Sequence, residues 1–152
     1  MRGFLKIRKL CGDERGVSVV ELGLVAPVLA LFIAGIIDLS QGLAQRFALQ
    51  QAVNRSLELV LAVPPEGDPD DADVDYGYVA DEAAAAAEVG AEQVTLDRWL
   101  QCDEARMDDY TAACADGEDT ARYLSVRIQK PFHGSFYVGG MTIVASGVIR
   151  IQ

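Results

Sequence analysis

"ERGVSVVELGLVAPVLALFIAGIID", residues 14–38, decides how the rest of this chain is read. Between positions 17 and 37 there are 21 residues, and Glu21 is the only charged one. As a helix that run spans roughly 32 Å, close to the hydrocarbon thickness of a bilayer. It is too long and too apolar for an ordinary buried helix, and too long for the apolar core of a secretory signal. No small-x-small cleavage site lies where it ends. The run therefore predicts a transmembrane helix over 17–38. Pro27 inside it predicts a kink rather than an end, because neighbouring helices can satisfy the carbonyl that proline frees. Ala26, Ala30 and Ala34 recur every four residues with Gly23 nearby, a small-residue stripe on which another helix can pack closely.

Charge is distributed around this run as in a protein that crosses a membrane once. The segment 1–16 carries Arg2, Lys6, Arg8, Lys9 and Arg15 against Asp13 and Glu14. With a net charge of −10 on all 152 residues, that head is +3 and the remainder −13. Basic flanks stay on the cytoplasmic side, so the N-terminus is expected inside and the acidic body outside. An acidic body repels phosphates and argues against nucleic acid as a partner.

Glu21 is the anomaly. A carboxylate about one turn inside the membrane costs about 1–3 kcal/mol unless it snorkels to the headgroups or meets a cation at the same depth. If the chain were cut after Gly16, the new α-amine of Val17 would be such a cation, supplied by a neighbouring copy in an assembly. The positive end of the helix dipole favours the carboxylate as well.

"RG" followed by "VSVVE" resembles the class III leader of type IV pilins. In that family a prepilin peptidase cuts after the glycine and the glutamate is the fifth residue of the mature chain, which here implies processing at Gly16–Val17 with Glu21 as that residue. The longer stretch "ERGVSVVELGLVAPVLALFIAGIIDLSQGLAQRFALQQAVNRS" resembles the opening of TadE-like proteins, pilin-like components of the Flp (tight adherence) pilus machinery. Its glutamate, its apolar "LV-P" step and an acid near Asp38 carry the likeness, and the closing "TIVASGVIRIQ" is similar to that family's C-terminus. The resemblance implies a minor pilin or pseudopilin in the inner membrane, working in pilus assembly, secretion and adhesion. Membrane lipid, other pilin-like subunits, assembly proteins and a prepilin peptidase would be its partners.

Beyond the membrane, "QGLAQRFALQQAVNRSLELVLA" has no proline. Leu43, Phe47, Val53, Leu57, Val60 and Leu61 fall at roughly helical spacing, so the helix is expected to continue over 39–62. It would pack on the chain's own outer part, on other subunits, or on both. "VPPEGDPDDADVD" (63–75), with three prolines and six acids, reads as an exposed acidic loop between this helix and an outer domain over 76–152. Asp71, Asp73 and Asp75 alternate and Glu82 falls twelfth, as in a calcium-binding EF-hand loop. Tyr76, however, stands where the turn needs glycine, and no helix enters the loop. An alternative function follows from this segment: a single-pass, membrane-anchored extracytoplasmic module that binds calcium through the loop.

Residues 81–94, with "AAAAA", predict a short surface helix. Cys102 and Cys114 lack a CxxC pairing, and the chain has one histidine, so zinc is poorly served. Outside the cytoplasm a disulfide between them is the natural product, and Cys11 falls in the leader on the reducing side. Alternation with β-branched and aromatic residues predicts antiparallel strands at 123–130, 135–138 and 142–151. The expected fold is α+β, a long N-terminal helix continuing into a pilin-like domain with a short helix and a small antiparallel sheet. His133 and Ser135 are close in sequence, and triad partners meet in space, so these two are the candidates for a Ser–His–acid site. With no nucleophile elbow or phosphate loop, no enzyme and no cofactor is expected.

Overall fold

The computed structural model of the chain describes residues 15–65, 74–136 and 139–151, with side chains from residue 19 onward in the first helix. Residues 1–14 of the expected 1–16 leader, Cys11 among them, and Asp71 and Asp73 lie outside these residues. The architecture is α+β, as anticipated. Helix α1 covers Arg15–Ala62 and helix α2 covers Gly77–Ala87; a 3-10 turn at Ala91–Gln93 follows. Four strands complete the order: β1 Val94–Cys102, β2 Ala105–Met107, β3 Thr120–Phe132 and β4 Met141–Arg150. They form one antiparallel sheet in the order β2-β1-β3-β4.

Helix α1 runs 48 residues, about 72 Å, and continues through Pro27. Its two halves differ in what they touch. From Val19 to Ile37 every residue is exposed except half-buried Ala34. From Leu49 onward a stripe turns inward: Leu49, Ala52, Val53, Ser56, Leu57 and Val60 are all buried. That i, i+3, i+4, i+7 spacing places one helical face on the sheet. Leu43, Phe47 and Leu61, expected on the same apolar face, are 45%, 65% and 69% exposed. They sit off the stripe, and alanine and serine at 52 and 56 supply the close-packing positions instead.

One face of the sheet receives α1 and α2, and the other is open, the usual arrangement of an antiparallel sheet. Leu124, Val126, Ile128 and Phe132 of β3 and Ile143 and Ala145 of β4 point to the helices and are buried. Gly147 completes that row. A Cβ there would lie 2.7 Å from Val53 Cγ1 and 2.8 Å from Leu57 Cδ1, so its missing side chain lets α1 lie flat on β4.

Three local expectations are corrected. The short helix is Gly77–Ala87 rather than 81–94, because Glu88 turns left-handed at φ 53° and its amide closes on the carbonyls of Ala84 and Ala85. Residues 94–102 then form β1, a strand that went unread. Its inward row is Val94, Leu96, Arg98, Leu100, Cys102, and the arginine interrupts the apolar alternation. Lastly, Ser135 and Phe136 are not in a strand. Their backbone amides are turned toward α1 and occupied there, so no ladder can form through them.

Candidate functional site

Two places concentrate chemistry: the bare half of α1, and the junction where α1 meets the outer domain. On the bare half, Gly16 and Val17 are helical and Glu21 is exposed, with no ion pair among the described residues. The α1 helix is long and apolar enough to cross a membrane.

At the junction the controlling residue is Asp38, the first residue after the apolar run and only 1% exposed. Its Oδ1 accepts the backbone N–H of Ser135 at 2.7 Å and that of Phe136 at 3.1 Å, and Oδ2 lies 3.2 Å from the latter. Ser135 Oγ donates to Gln41 Oε1 at 3.0 Å, one turn up the helix. Higher again, the Phe132 ring lies 3.6 Å from where a Cβ on Gly42 would be. The chain leaving β3 thus descends α1 from Gly42 to Asp38, and a buried carboxylate holds its turned amides. A charge this deep is tolerable because it is hydrogen-bonded to backbone donors. Sequence alone pointed to an acid here but not to its partner, which lies 97 positions away.

The same bonds bear on the Ser–His–acid idea. Ser135 does meet an acid, but through its amide, while its hydroxyl faces Gln41 rather than His133. His133 is exposed, and its Nε2 lies 3.1 Å from a Cβ built on Gly140.

Two of the four calcium candidates can be placed. Asp75 is exposed, and its Oδ1 accepts from Gly77 N at 2.6 Å at the start of α2. Glu82 lies within α2, and its carboxylate pairs with Arg55 Nε on α1 at 2.6 Å. That pair joins the two helices, and half of the twelve-residue stretch from 71 to 82 is helical.

At the far end of the sheet, Cys102 and Cys114 are bonded to each other, with S–S 1.99 Å. Glu118 approaches both sulfurs, but disulfide sulfurs are not thiolates and make poor metal ligands. Beside them is a cluster that sequence reading missed. Arg98 lies over the rings of Tyr76 at 5.4 Å and Tyr110 at 4.9 Å, and Arg122 stacks on Tyr110 at 5.7 Å. Arg98 Nη1 also donates to Val74 O at 3.0 Å, which ties the chain entering α2 to β1. Burial pushes the Tyr110 hydroxyl up to about 12, with Tyr76 adding to the rise and Arg98 and Arg122 opposing it. Tyr76 is raised too, chiefly by burial. On the open face, Trp99 stacks on Tyr123 and Arg106 lies over the indole at 4.4 Å. These contacts brace the outer end. The sequence signal was an arginine inside the alternating run from Val94 to Cys102.

Comparison with known proteins adds one match. Residues 16–58 match the family model described as TadE-like protein. The match covers the apolar run and the first outer turns of α1, includes Glu21 and Asp38, and stops before the sheet. No curated protein and no solved structure matches the chain.

Proposed function

We propose that this chain, whose N-terminal helix carries the TadE-like signature, is a minor pilin-like subunit of a tight-adherence pilus apparatus. It is anchored once in the inner membrane, with the basic N-terminus in the cytoplasm and the sheet domain outside. Its work is structural: the apolar helix packs laterally on other subunits, and the outer domain presents a rigid body above them.

The observation that supports this most is the bare half of α1. From Val19 to Ile37 its side chains find almost no cover among the described residues. Such a surface on a 48-residue helix must be covered by lipid or by the helices of neighbours. Glu21 belongs to that second state. After cleavage between Gly16 and Val17, the freed α-amine of one subunit neutralises the carboxylate of the next.

Two measurements test the reading. The mature N-terminus is read by mass spectrometry from cells with an active prepilin peptidase, where Val17 is expected first. Glu21→Ala is expected to leave membrane insertion intact and to remove the chain from the assembled apparatus. Normal assembly of that variant would refute the role given to the carboxylate.

A further inference from the structure

We propose that the membrane-proximal end of the outer domain is itself a lipid-docking surface: Phe136, Met141, Leu39 and Leu43 rest in the headgroup layer beside the point where α1 leaves the bilayer. This rests on the membrane-spanning reading of residues 17–37 and adds a second membrane contact to it.

Depth comes from the Asp38 bonds. The apolar run ends at Ile37, so Asp38 stands at the edge of the hydrocarbon, and the headgroup layer beyond it is roughly 5–8 Å thick. Phe136 N lies 3.1 Å from the Asp38 carboxylate, which puts that residue inside the layer. The side chains found there are apolar and uncovered: Phe136 is 60% exposed, Met141 50%, Leu39 64% and Leu43 45%. Between helix and sheet, Leu39, Leu43 and Met141 border an apolar groove of about 390 Å³ that reaches from Asp38 to Arg46.

Charge favours the same occupant. The chain carries −10 overall, yet apart from buried Asp38 no Asp or Glu occurs from Leu39 to Leu57 or from Thr120 to Gln152, the segments that build this end. Eight acids instead fall between Asp97 and Asp119. Strand pairing puts most of them at the opposite end: Cys102 is opposite Thr120, twelve residues of β3 away from Phe132. At about 3.3 Å per residue that separation is roughly 40 Å. Glu88 and Glu92 follow α2, where the Ala87 carbonyl accepts from Lys130 Nζ at 2.7 Å. An apolar face whose own acid, Asp38, is buried under the Ser135 and Phe136 amides, with Arg46 at its rim, fits a phospholipid surface and offers little for anionic headgroups to repel.

The test uses the full chain in nanodiscs of phosphatidylethanolamine and phosphatidylglycerol, one copy per disc, with bromine on the acyl chains. Phe136→Trp and Phe32→Trp are each made in a Trp99→Phe background, and the unaltered protein reports from Trp99 on β1. Phe136 is largely exposed, so the probe displaces no packed atoms. The F136W probe is expected to lose emission and shift to the blue as F32W does, while Trp99 keeps its intensity. Quenching of F32W without F136W overturns the docking and leaves the span standing. Loss of quenching in both overturns the span and the docking with it. Quenching or a blue shift of F136W that develops only in discs holding two copies makes the occupant a second subunit, and overturns lipid docking.

Discussion

Replacing Asp38 tests whether one buried carboxylate positions the end of the sheet domain that adjoins the apolar run. In Asp38→Ala, two backbone donors, Ser135 N and Phe136 N, lose an ionised acceptor. A hydrogen bond to a charged group nets about 1.5–3 kcal/mol, so the pair sets a ceiling of about 3–6 kcal/mol. Two effects reduce it. Ser135 and Phe136 are exposed, so water can replace part of the loss, and removing a carboxylate only 1% exposed recovers its desolvation cost. A net loss of about 2–3 kcal/mol remains. Asp38→Asn should be milder, because Oδ1 accepts both amides and an amide oxygen can take its place, while only the longer bond from Phe136 N to Oδ2 is lost; the expected loss is about 1 kcal/mol. Amide hydrogen exchange on the full chain in detergent micelles reads this locally. In D38A the amides of 135 and 136 should exchange roughly 30- to 150-fold faster, with D38N in between. The amide of Leu124 in the core should stay unchanged, which separates local release from general unfolding. Wild-type protection at 135 and 136 in D38A would show that Asp38 does not hold this segment.

Gly147→Ala should destabilise the outer domain by about 1–3 kcal/mol in denaturant unfolding, because the new methyl meets fully buried Val53. Opening the Cys102–Cys114 link, which closes a separation of 12 residues, should cost about 3 kcal/mol in the chain-entropy model. A reductant should therefore lower the unfolding midpoint of the native protein and leave a Cys102→Ser/Cys114→Ser variant unmoved. Tyr110 predicts an alkaline weakness. Its folded pKa, pushed up to about 12, lies above the unfolded value of about 10, so the folded state binds the proton more tightly. The contribution is fully present below the unfolded pKa and is lost as pH rises through the folded one. Denaturation midpoints should fall over that window, less steeply in Tyr110→Phe; an equal slope in both would refute the assignment.

What could be read without coordinates was whatever depends on local periodicity and composition. The 21-residue apolar run, the continuation of the helix past it, the α+β class and the two long strands at 123–130 and 142–151 each repeat at a spacing that one segment carries by itself. Strand β1 was lost because Arg98 faces inward, and that is stable only with Tyr76 and Tyr110 beneath it, which come from distant loops. Residues 135 and 136 look like strand because of their composition, but Asp38 captures their amides. The outer stripe of α1 holds at Val53, Leu57 and Val60, but sheet contact takes Ala52 and Ser56, small enough for close approach, while Leu43 and Phe47 stay exposed.

The sequence by itself determined that a long apolar helix would leave the body of this protein, because hydrophobicity and helical rise are properties of one segment. Only the tertiary structure decided which residues stand where that helix meets the domain. A hydrogen bond between Asp38 and an amide 97 residues away exists only once helix and sheet have packed.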